Sequence, residues 1–126
     1  MRPALLVAVA CLAAATLPSC QTSAIHLECS VVDQGTTVQI VGDAIDGGKF
    51  SPGVLCVKAG SRVTWRWRDP YVDHTVSSVP GDSLAFDSGS LSYGSAFAAA
   101  FKKPGRYPYV CRLHPSMAGL ITVLGS

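Results

Sequence analysis

The chain has 126 residues, which is enough for one domain with a single hydrophobic core. Ten lysines and arginines stand against eight aspartates and glutamates, so the net charge at pH 7 is +2. Removing residues 1–19 would take away one basic residue, Arg2, and leave nine basic residues against eight acidic ones. This near-neutral balance, with no run of basic residues, argues against nucleic acid as a partner.

The N-terminus has the pattern of an export signal. Arg2 supplies a positive start, and residues 4–17 form a stretch of 14 uncharged, largely apolar residues. Such a stretch is too short to cross a bilayer comfortably and has the length of the apolar region of a signal peptide. We therefore predict a signal peptide over residues 1–19. The alternative is a buried N-terminal helix.

The end of this segment carries a possible modification site. Residues 17–20 read Leu-Pro-Ser-Cys and resemble the bacterial lipobox, in which the cysteine is lipidated and becomes the new N-terminus. The resemblance implies lipidation at Cys20, and this anchor would be the chain's only link to a membrane. Pro18 departs from the usual small or aliphatic residue, and the alternative is ordinary cleavage near Ala24. Either way we expect an exported protein, in the periplasm or at the cell surface.

Three cysteines remain in the predicted exported domain, namely Cys29, Cys56 and Cys111. An odd number outside the cytoplasm needs an explanation, and the simplest is a Cys29–Cys56 disulfide with Cys111 kept apart as a metal thiolate. Cys56 lies between Leu55 and Val57 on a predicted strand, so its side chain leaves the face that those two share. The alternative is two free thiols, which an oxidising compartment disfavours.

The rest of the chain alternates short apolar stretches with turn residues. The clearest strand covers residues 62–68, where Val63, Trp65 and Trp67 alternate with polar side chains. The same reasoning predicts strands at residues 36–41, 54–57, 74–78, 96–101, 106–111 and 119–124, turns at 46–48, 58–61 and 104–105, and a loop or one irregular turn at 83–95. No helical period longer than two turns appears. The pattern predicts a β-sandwich or barrel, preceded by a tether over residues 20–35.

One short segment carries the chemistry. Cys111, His114 and Met117 place a thiolate, an imidazole and a thioether within seven residues, and His74 adds a second imidazole upstream. Two nitrogens, one strong sulfur and one weak axial sulfur are the donor set of a blue (type 1) copper site. Structural zinc usually takes four strong Cys or His donors, so the methionine favours copper. We predict one copper ion per chain, cycling between Cu(I) and Cu(II).

These ligands lie in a longer family pattern. From residue 50 to residue 123 the chain resembles the plastocyanin-like cupredoxins, and its Cys-x2-His-x2-Met loop has the short form found in amicyanin. The other matching residues are Phe50, Pro52, Val57, Gly60, Val63, Trp65, Phe86, Ser88, Gly89, Phe97, Phe101, Pro104, Gly105, Tyr107, Tyr109, Gly119, Ile121 and Val123. The resemblance implies a cupredoxin domain over residues 36–126, an all-β Greek-key β-sandwich of seven or eight strands with copper at one end.

The resemblance also implies a function. Cupredoxins of this type exchange single electrons with protein partners through the exposed edge of the second histidine, here His114, and the chain would be a monomer and not an enzyme. A small apolar patch around that edge suits brief, low-affinity docking; it would consist of Leu113, Pro115, Ala118 and Gly119. Lys102, Lys103 and Arg112 would either favour acidic partners or form a solvated face.

Four residues near the first ligand carry separate expectations. Thr75 stands where relatives often have an asparagine that ties the ligand loops together, and its hydroxyl can do the same over a shorter reach. Trp67 stands where many relatives have a polar residue, and we expect it to pack beside the site and limit water. Asp69 and Asp73 flank the first ligand loop, where they would either orient it or simply solvate it, and we favour the second.

Two other functions would use the same residues. A copper chaperone or store would hold Cu(I) without redox turnover, although the predicted mature chain lacks the Met- and His-rich arm that such carriers often have. An oxidase or nitrite reductase would need a second copper centre, and the one remaining histidine, His26, cannot build it. No Ser-His-Asp set for hydrolysis is apparent either. Electron transfer is therefore the main prediction, with copper chaperoning or storage as the alternative.

Overall fold

The computed structural model describes Cys29, residues 35–45 and residues 47–125. These residues form eight strands: β1 (Thr37–Val41), β2 (Lys49–Ser51), β3 (Val54–Lys58), β4 (Ser61–Trp67), β5 (Ser77–Ser78), β6 (Ala96–Phe101), β7 (Gly105–Val110) and β8 (Ala118–Leu124). The described part contains no helix with the length and apolar character needed to cross a membrane. The predicted signal peptide, Cys20 and most of the predicted tether lie outside the described residues.

The strands form two four-stranded sheets that pack as an all-β sandwich, which confirms the predicted fold class. One sheet has the order β2-β1-β4-β6 and the other β3-β8-β7-β5. β1 pairs in parallel with β4, and β3 in parallel with β8, whereas the other neighbours are antiparallel. From β2 to β7 the chain changes sheet at every connection, so each strand contributes one face to a shared core.

The core is centred on Trp65 of β4. The alternation in this strand places Val63, Trp65 and Trp67 inside, all three fully buried. The indole of Trp65 has four aromatic neighbours at ring-centroid distances from 5.3 to 6.3 Å, contributed by Phe86, Phe97, Phe101 and Tyr109. Aromatic contacts at these distances are favourable and geometrically specific. They hold the two sheets in a fixed relation and so fix the ends of the strands that carry the candidate site.

Two segments differ from the sequence prediction. The predicted strand at residues 74–78 is reduced to β5 and two isolated bridges, His74 to Leu91 and Ser77 to Asp87, because the amide of Val76 donates to the Ser88 hydroxyl, 2.8 Å away, instead of to a strand. The short strand β2 follows the predicted turn at residues 46–48 and was not predicted. It has three residues and one buried side chain, Phe50, which is too little for a period of two to be recognised.

The cysteines occupy two different environments. Cys29 and Cys56 form a disulfide with a Cα–Cα distance of 5.7 Å, which joins the N-terminal segment to β3. Leu55 and Val57 on either side of Cys56 are buried, and Cys56 points away from their face. Cys111 is buried and is the free cysteine of the described residues. The structure therefore separates the bonded sulfurs from the sulfur that the sequence assigns to a metal.

Three loops meet at one end of the sandwich. Because β1 and β4 are parallel, the loop that follows β1 and the loop that follows β4 leave the sheet side by side. The antiparallel strands β7 and β8 of the other sheet are joined by residues 111–117. The glycines at residues 47 and 48, the first histidine at residue 74, and the ligand loop at residues 111–117 all belong to these connections.

Candidate metal centre

Three donor atoms converge at this end of the fold. The Cys111 sulfur lies 3.9 Å from Nδ1 of His74 and 3.5 Å from Nδ1 of His114. All three donor atoms lie within 4.8 Å of one another. A metal about 2.0 Å from nitrogen and about 2.3 Å from sulfur would place a nitrogen and a sulfur ligand roughly 3.5–3.9 Å apart at bond angles of about 110–125°. Both sulfur-to-nitrogen distances therefore fit a single metal ion bound by the Cys111 sulfur and the two histidines.

The ligand loop is closed by its own backbone. The amide of Cys111 donates to the carbonyl of Met117, and the amide of Met117 donates to the carbonyl of His114, both at 2.9 Å. Met117 is almost fully buried. Its sulfur and the His74 ring both lie against Gly48, because a Cβ atom on Gly48 would stand 3.2 Å from the sulfur and 2.5 Å from Cε1 of the ring. The fold thus brings the thioether to the same side of the site as His74.

The backbone of His74 is fixed from two directions. His74 exchanges two amide-to-carbonyl hydrogen bonds with Leu91, of 3.1 and 3.0 Å. The indole Nε1 of Trp67 donates to the same His74 carbonyl at 3.0 Å. Trp67 and His74 are both fully buried. The expectation that Trp67 packs beside the site is confirmed, and the contact also anchors the ligand's main chain.

The ring of His74 is held by a carboxylate. Its Nε2 lies 2.8 Å from Oδ2 of Asp69, and both side chains are buried. The other Asp69 oxygen accepts a hydrogen bond from the Tyr71 amide at 2.9 Å. The expectation that Asp69 is merely solvated is wrong, because the turn at residues 69–71 folds this side chain inward onto the ligand. Asp73, as expected, is exposed.

The environment of Asp69 keeps it ionised. Burial acts to raise the pKa of Asp69, but the hydrogen bond from His74 and the hydrogen bond from the Tyr71 amide act against it, and the resulting pKa lies below the ordinary value. A carboxylate anion accepts a hydrogen bond from an imidazole N–H and does not donate one. The proton of the neutral His74 ring therefore lies on Nε2, which leaves the lone pair of Nδ1 directed toward the sulfur of Cys111.

Thr75 links the two ligand segments. Its amide donates to the Cys111 sulfur at 3.3 Å, and its hydroxyl accepts a hydrogen bond from the Arg112 amide at 2.8 Å. The expectation that the Thr75 hydroxyl ties the loops together is confirmed. Hydrogen bonds to a ligand sulfur orient it and tune the metal that it binds.

A second carboxylate, that of Asp87, supports the contact between Thr75 and Arg112. Oδ1 of Asp87 accepts hydrogen bonds from the Gly89 amide at 2.9 Å and from the Ser77 hydroxyl at 3.1 Å. Its Oδ2 lies 2.8 Å from the guanidinium of Arg112. These contacts lower the pKa of Asp87, with the Gly89 amide as the largest cause. Arg112, which the sequence offered as a possible docking charge, is thus locally neutralised.

Replacing Asp87 with asparagine is expected to lower the free energy of unfolding by about 1 kcal/mol near neutral pH. Hydrogen bonds to a buried charge would contribute more, but solvent weakens these because Asp87 is partly exposed. Because the folded-state pKa is lowered, the stabilisation is present above the unfolded-state pKa and is lost as the pH falls through the folded-state pKa. Urea unfolding of both proteins at several pH values checks this.

The control for this change is Asp73→Asn, which removes the same charge from an exposed aspartate beside the same end of the fold. It is expected to leave the free energy of unfolding unchanged within error. A destabilisation of Asp87→Asn that stays constant from neutral to strongly acidic pH would contradict the electrostatic account and indicate an effect that does not depend on the charge of Asp87.

Two adjacent glycines cover the site. A Cβ atom on Gly47 would stand 2.6 Å from Cδ2 of His114, and one on Gly48 would stand 2.5 Å from the ring of His74. Gly47 also has a φ of +81°, which non-glycine residues rarely adopt. From the sequence, these residues are predicted only as part of a turn. Paired glycines are, however, also a signal for close backbone approach, and that reading would have pointed to the site.

The second histidine lies closest to the surface. His114 is partly exposed, whereas His74 and Cys111 are buried. Leu113 beside it has about half of its surface exposed, at 51%. Ile45, on the turn that also carries Gly47, is 90% exposed. The accessible edge of the site therefore lies at His114, with Leu113 beside it in the chain and Ile45 on the turn whose Gly47 contacts the imidazole.

Comparisons with known proteins agree with this geometry. No protein-family model matches the sequence. Amicyanin-alpha from Methylorubrum extorquens is 34% identical over 77 residues, which are 60% of this chain and 64% of that protein. A purple cupredoxin from Nitrosopumilus maritimus has a similar structure, with a TM-score of 0.58 and 34% identity over 68% of this chain and 98% of its own.

A copper-containing nitrite reductase from Thermus scotoductus also contains this fold, with a TM-score of 0.61 and 27% identity, but only 23% of that chain is covered. The chain spans less than two thirds of the length of the curated relatives that it matches. The purple cupredoxin, in contrast, is matched over nearly its whole length. The chain belongs to the cupredoxins, a family of copper proteins.

Proposed function

We propose that this protein is a type 1 copper electron-transfer protein that passes single electrons between protein partners. His74, Cys111 and His114 would be the strong ligands and Met117 the weak axial ligand. The observation that carries the proposal is the convergence of three soft and borderline donor atoms within 4.8 Å of one another at one end of a rigid sandwich.

The site favours electron transfer over copper-based catalysis. Copper bound here would supply a one-electron couple between Cu(I) and Cu(II). The backbone of the ligand loop, the Leu91 bridge and the core hold the donor atoms in place, so a change in metal charge would require little movement. Within the described ranges, no second group of histidines, cysteines and acidic residues is arranged to hold another metal ion, which an oxidase or nitrite reductase would need.

We place the docking surface for redox partners around His114. Leu113, next to His114 in sequence, and Ile45, two residues before the Gly47 that lies directly on the imidazole, supply exposed apolar side chains. Lys102 and Lys103 are exposed but follow the end of β6 that pairs with the start of β4, opposite the end of the sheet that leads to His74, so we do not include them in this surface. Brief encounters through a small apolar patch would suit a monomeric carrier.

We further propose export to the periplasm or the cell surface. A disulfide such as Cys29–Cys56 is typical of oxidising compartments, and the N-terminal pattern is that of a signal peptide. Lipidation at Cys20 would anchor the domain to a membrane, while cleavage near Ala24 would release it. These two forms differ in mass by the acyl chains and the residues between the two cleavage sites.

The test is to purify the exported protein and measure its intact and native masses, its visible spectrum and its voltammetry. One copper per chain, an intense visible band from thiolate-to-copper charge transfer and a reversible one-electron couple are expected. The intact mass also identifies the cleavage site and any acyl chains. A protein that binds Cu(I), stays colourless under oxidising conditions and passes copper to an acceptor would instead be a chaperone or store.

A further inference from the structure

One polar contact at the site was considered but not favoured from the sequence, and it has a specific chemical meaning. Asp69 is buried, yet its carboxylate touches the ring nitrogen of His74 that faces away from the metal position, at 2.8 Å. Histidines that bind metals commonly donate their second N–H to an oxygen, and this contact fixes the tautomer and raises the basicity of the ligand. Here the oxygen belongs to an anion and not to a neutral carbonyl.

The surroundings of Asp69 leave its charge uncompensated by a basic side chain. Among the described residues, no lysine or arginine forms an ion pair with it. Its other oxygen is satisfied by the Tyr71 amide. Gly42 at the end of β1 covers the carboxylate so closely that a Cβ atom there would stand 3.1 Å from Oδ2. The negative charge is therefore enclosed by backbone and directed at His74.

We propose that Asp69 is a positioning residue that both presets the His74 ring for metal binding and lowers the reduction potential of the site. The carboxylate holds the His74 proton on Nε2, so Nδ1 presents its lone pair to the metal before the metal arrives. A buried anion joined to a ligand also stabilises the more positive oxidation state of copper, because Coulomb attraction is strong where water is excluded. This inference rests on the proposed function.

The presetting role is tested without copper. In the wild-type metal-free protein at about pH 8, where histidine is ordinarily neutral, 15N NMR is expected to place the ring proton of His74 on Nε2 with slow exchange. In Asp69→Ala the same ring is expected to show a mixture of both tautomers and faster exchange. A wild-type ring protonated on Nδ1, or an unchanged tautomer in Asp69→Ala, would overturn this part of the proposal.

The electrostatic role is tested by voltammetry of the copper protein. Asp69→Asn keeps an oxygen that can accept the His74 proton but removes the charge. We expect the redox equilibrium to shift at least tenfold toward Cu(I). For one electron, a tenfold shift raises the reduction potential by about 59 mV. The visible band should persist. The matched control, Asp73→Asn, removes an exposed charge close by and should shift the equilibrium by less than threefold.

The outcomes separate the two proposals. If the wild-type protein shows no visible band and no reversible couple, electron transfer fails and the electrostatic role of Asp69 fails with it, whereas the presetting role is still decided by the metal-free protein. If the wild-type couple is present but Asp69→Asn behaves like Asp73→Asn, only the electrostatic role of Asp69 is overturned. A shift toward Cu(II) in Asp69→Asn would overturn it as well.

Discussion

A Cys111→Ser protein supplied with copper is expected to lose the intense visible band and the reversible couple while it keeps its folded sandwich. The Cys111 sulfur lies 3.9 Å from Nδ1 of His74 and 3.5 Å from Nδ1 of His114, so it is the central ligand of the proposed site. A serine hydroxyl cannot replace it as a soft, negatively charged ligand. The buried hydroxyl would cost about 1–3 kcal/mol if left without a good partner, which a domain of ordinary stability tolerates. Visible absorption checks the loss of the band, voltammetry checks the loss of the couple, and circular dichroism checks that the sandwich remains folded.

A matched control for this change is Thr122→Val. Thr122 is equally buried but lies within β8, and its hydroxyl has no hydrogen-bond partner among the described residues. The substitution should leave the band and the couple unchanged. A Cys111→Ser protein that retained the wild-type spectrum would remove Cys111 from the site and with it the proposed function.

Adding a methyl group at Gly48 is expected to reduce both the stability of the protein and its affinity for copper. In Gly48→Ala the new Cβ would stand 2.5 Å from Cε1 of His74 and 3.2 Å from the sulfur of Met117. Asp69 and the buried core restrain the His74 ring, so the ring cannot move away freely. We expect a loss of about 1–3 kcal/mol in stability from overpacking. Copper affinity should fall about 10- to 100-fold, as is usual when a residue that supports a ligand is changed.

The control is Gly53→Ala, in which the added Cβ would meet only the Phe50 carbonyl oxygen, at an ordinary 3.8 Å. Competition with a copper chelator measures the affinity, and urea unfolding measures the stability. Equal behaviour of the two variants would show that the glycine at residue 48 is not a constraint on the site. Loss of stability without loss of affinity would place the strain in the loop and not on His74.

The features that the sequence predicts are those determined by residues close together in the chain. Three proposed ligands fall in one loop of seven residues, so their convergence requires only that β7 and β8 form a hairpin. The alternation around Trp65 similarly defines its strand, because a period of two is visible within seven residues. The proposed position of His74 came from the donor chemistry, which requires a second imidazole, and from the family resemblance.

What the sequence did not predict depends on packing between distant segments. Whether Asp69 faces water or His74 is decided by the turn at residues 69–71 and by Gly42 above it, and neither is visible in a local pattern. The contact of Gly48 with His74 likewise joins the loop after β1 to the loop after β4, which meet only because those strands are parallel. The short strand β2 forms for a similar reason, through pairing with β1.

The distribution of the proposed ligands between the sheets couples metal uptake to folding. His74 follows a strand of one sheet, whereas Cys111, His114 and Met117 come from a hairpin of the other. A bound ion would therefore act as a crosslink across the sandwich, and separating the layers would require its release. By mass action, a free metal concentration 100 times the dissociation constant adds about 2.7 kcal/mol to the unfolding free energy. Copper supply would then govern how long the protein stays folded as well as whether it can carry electrons.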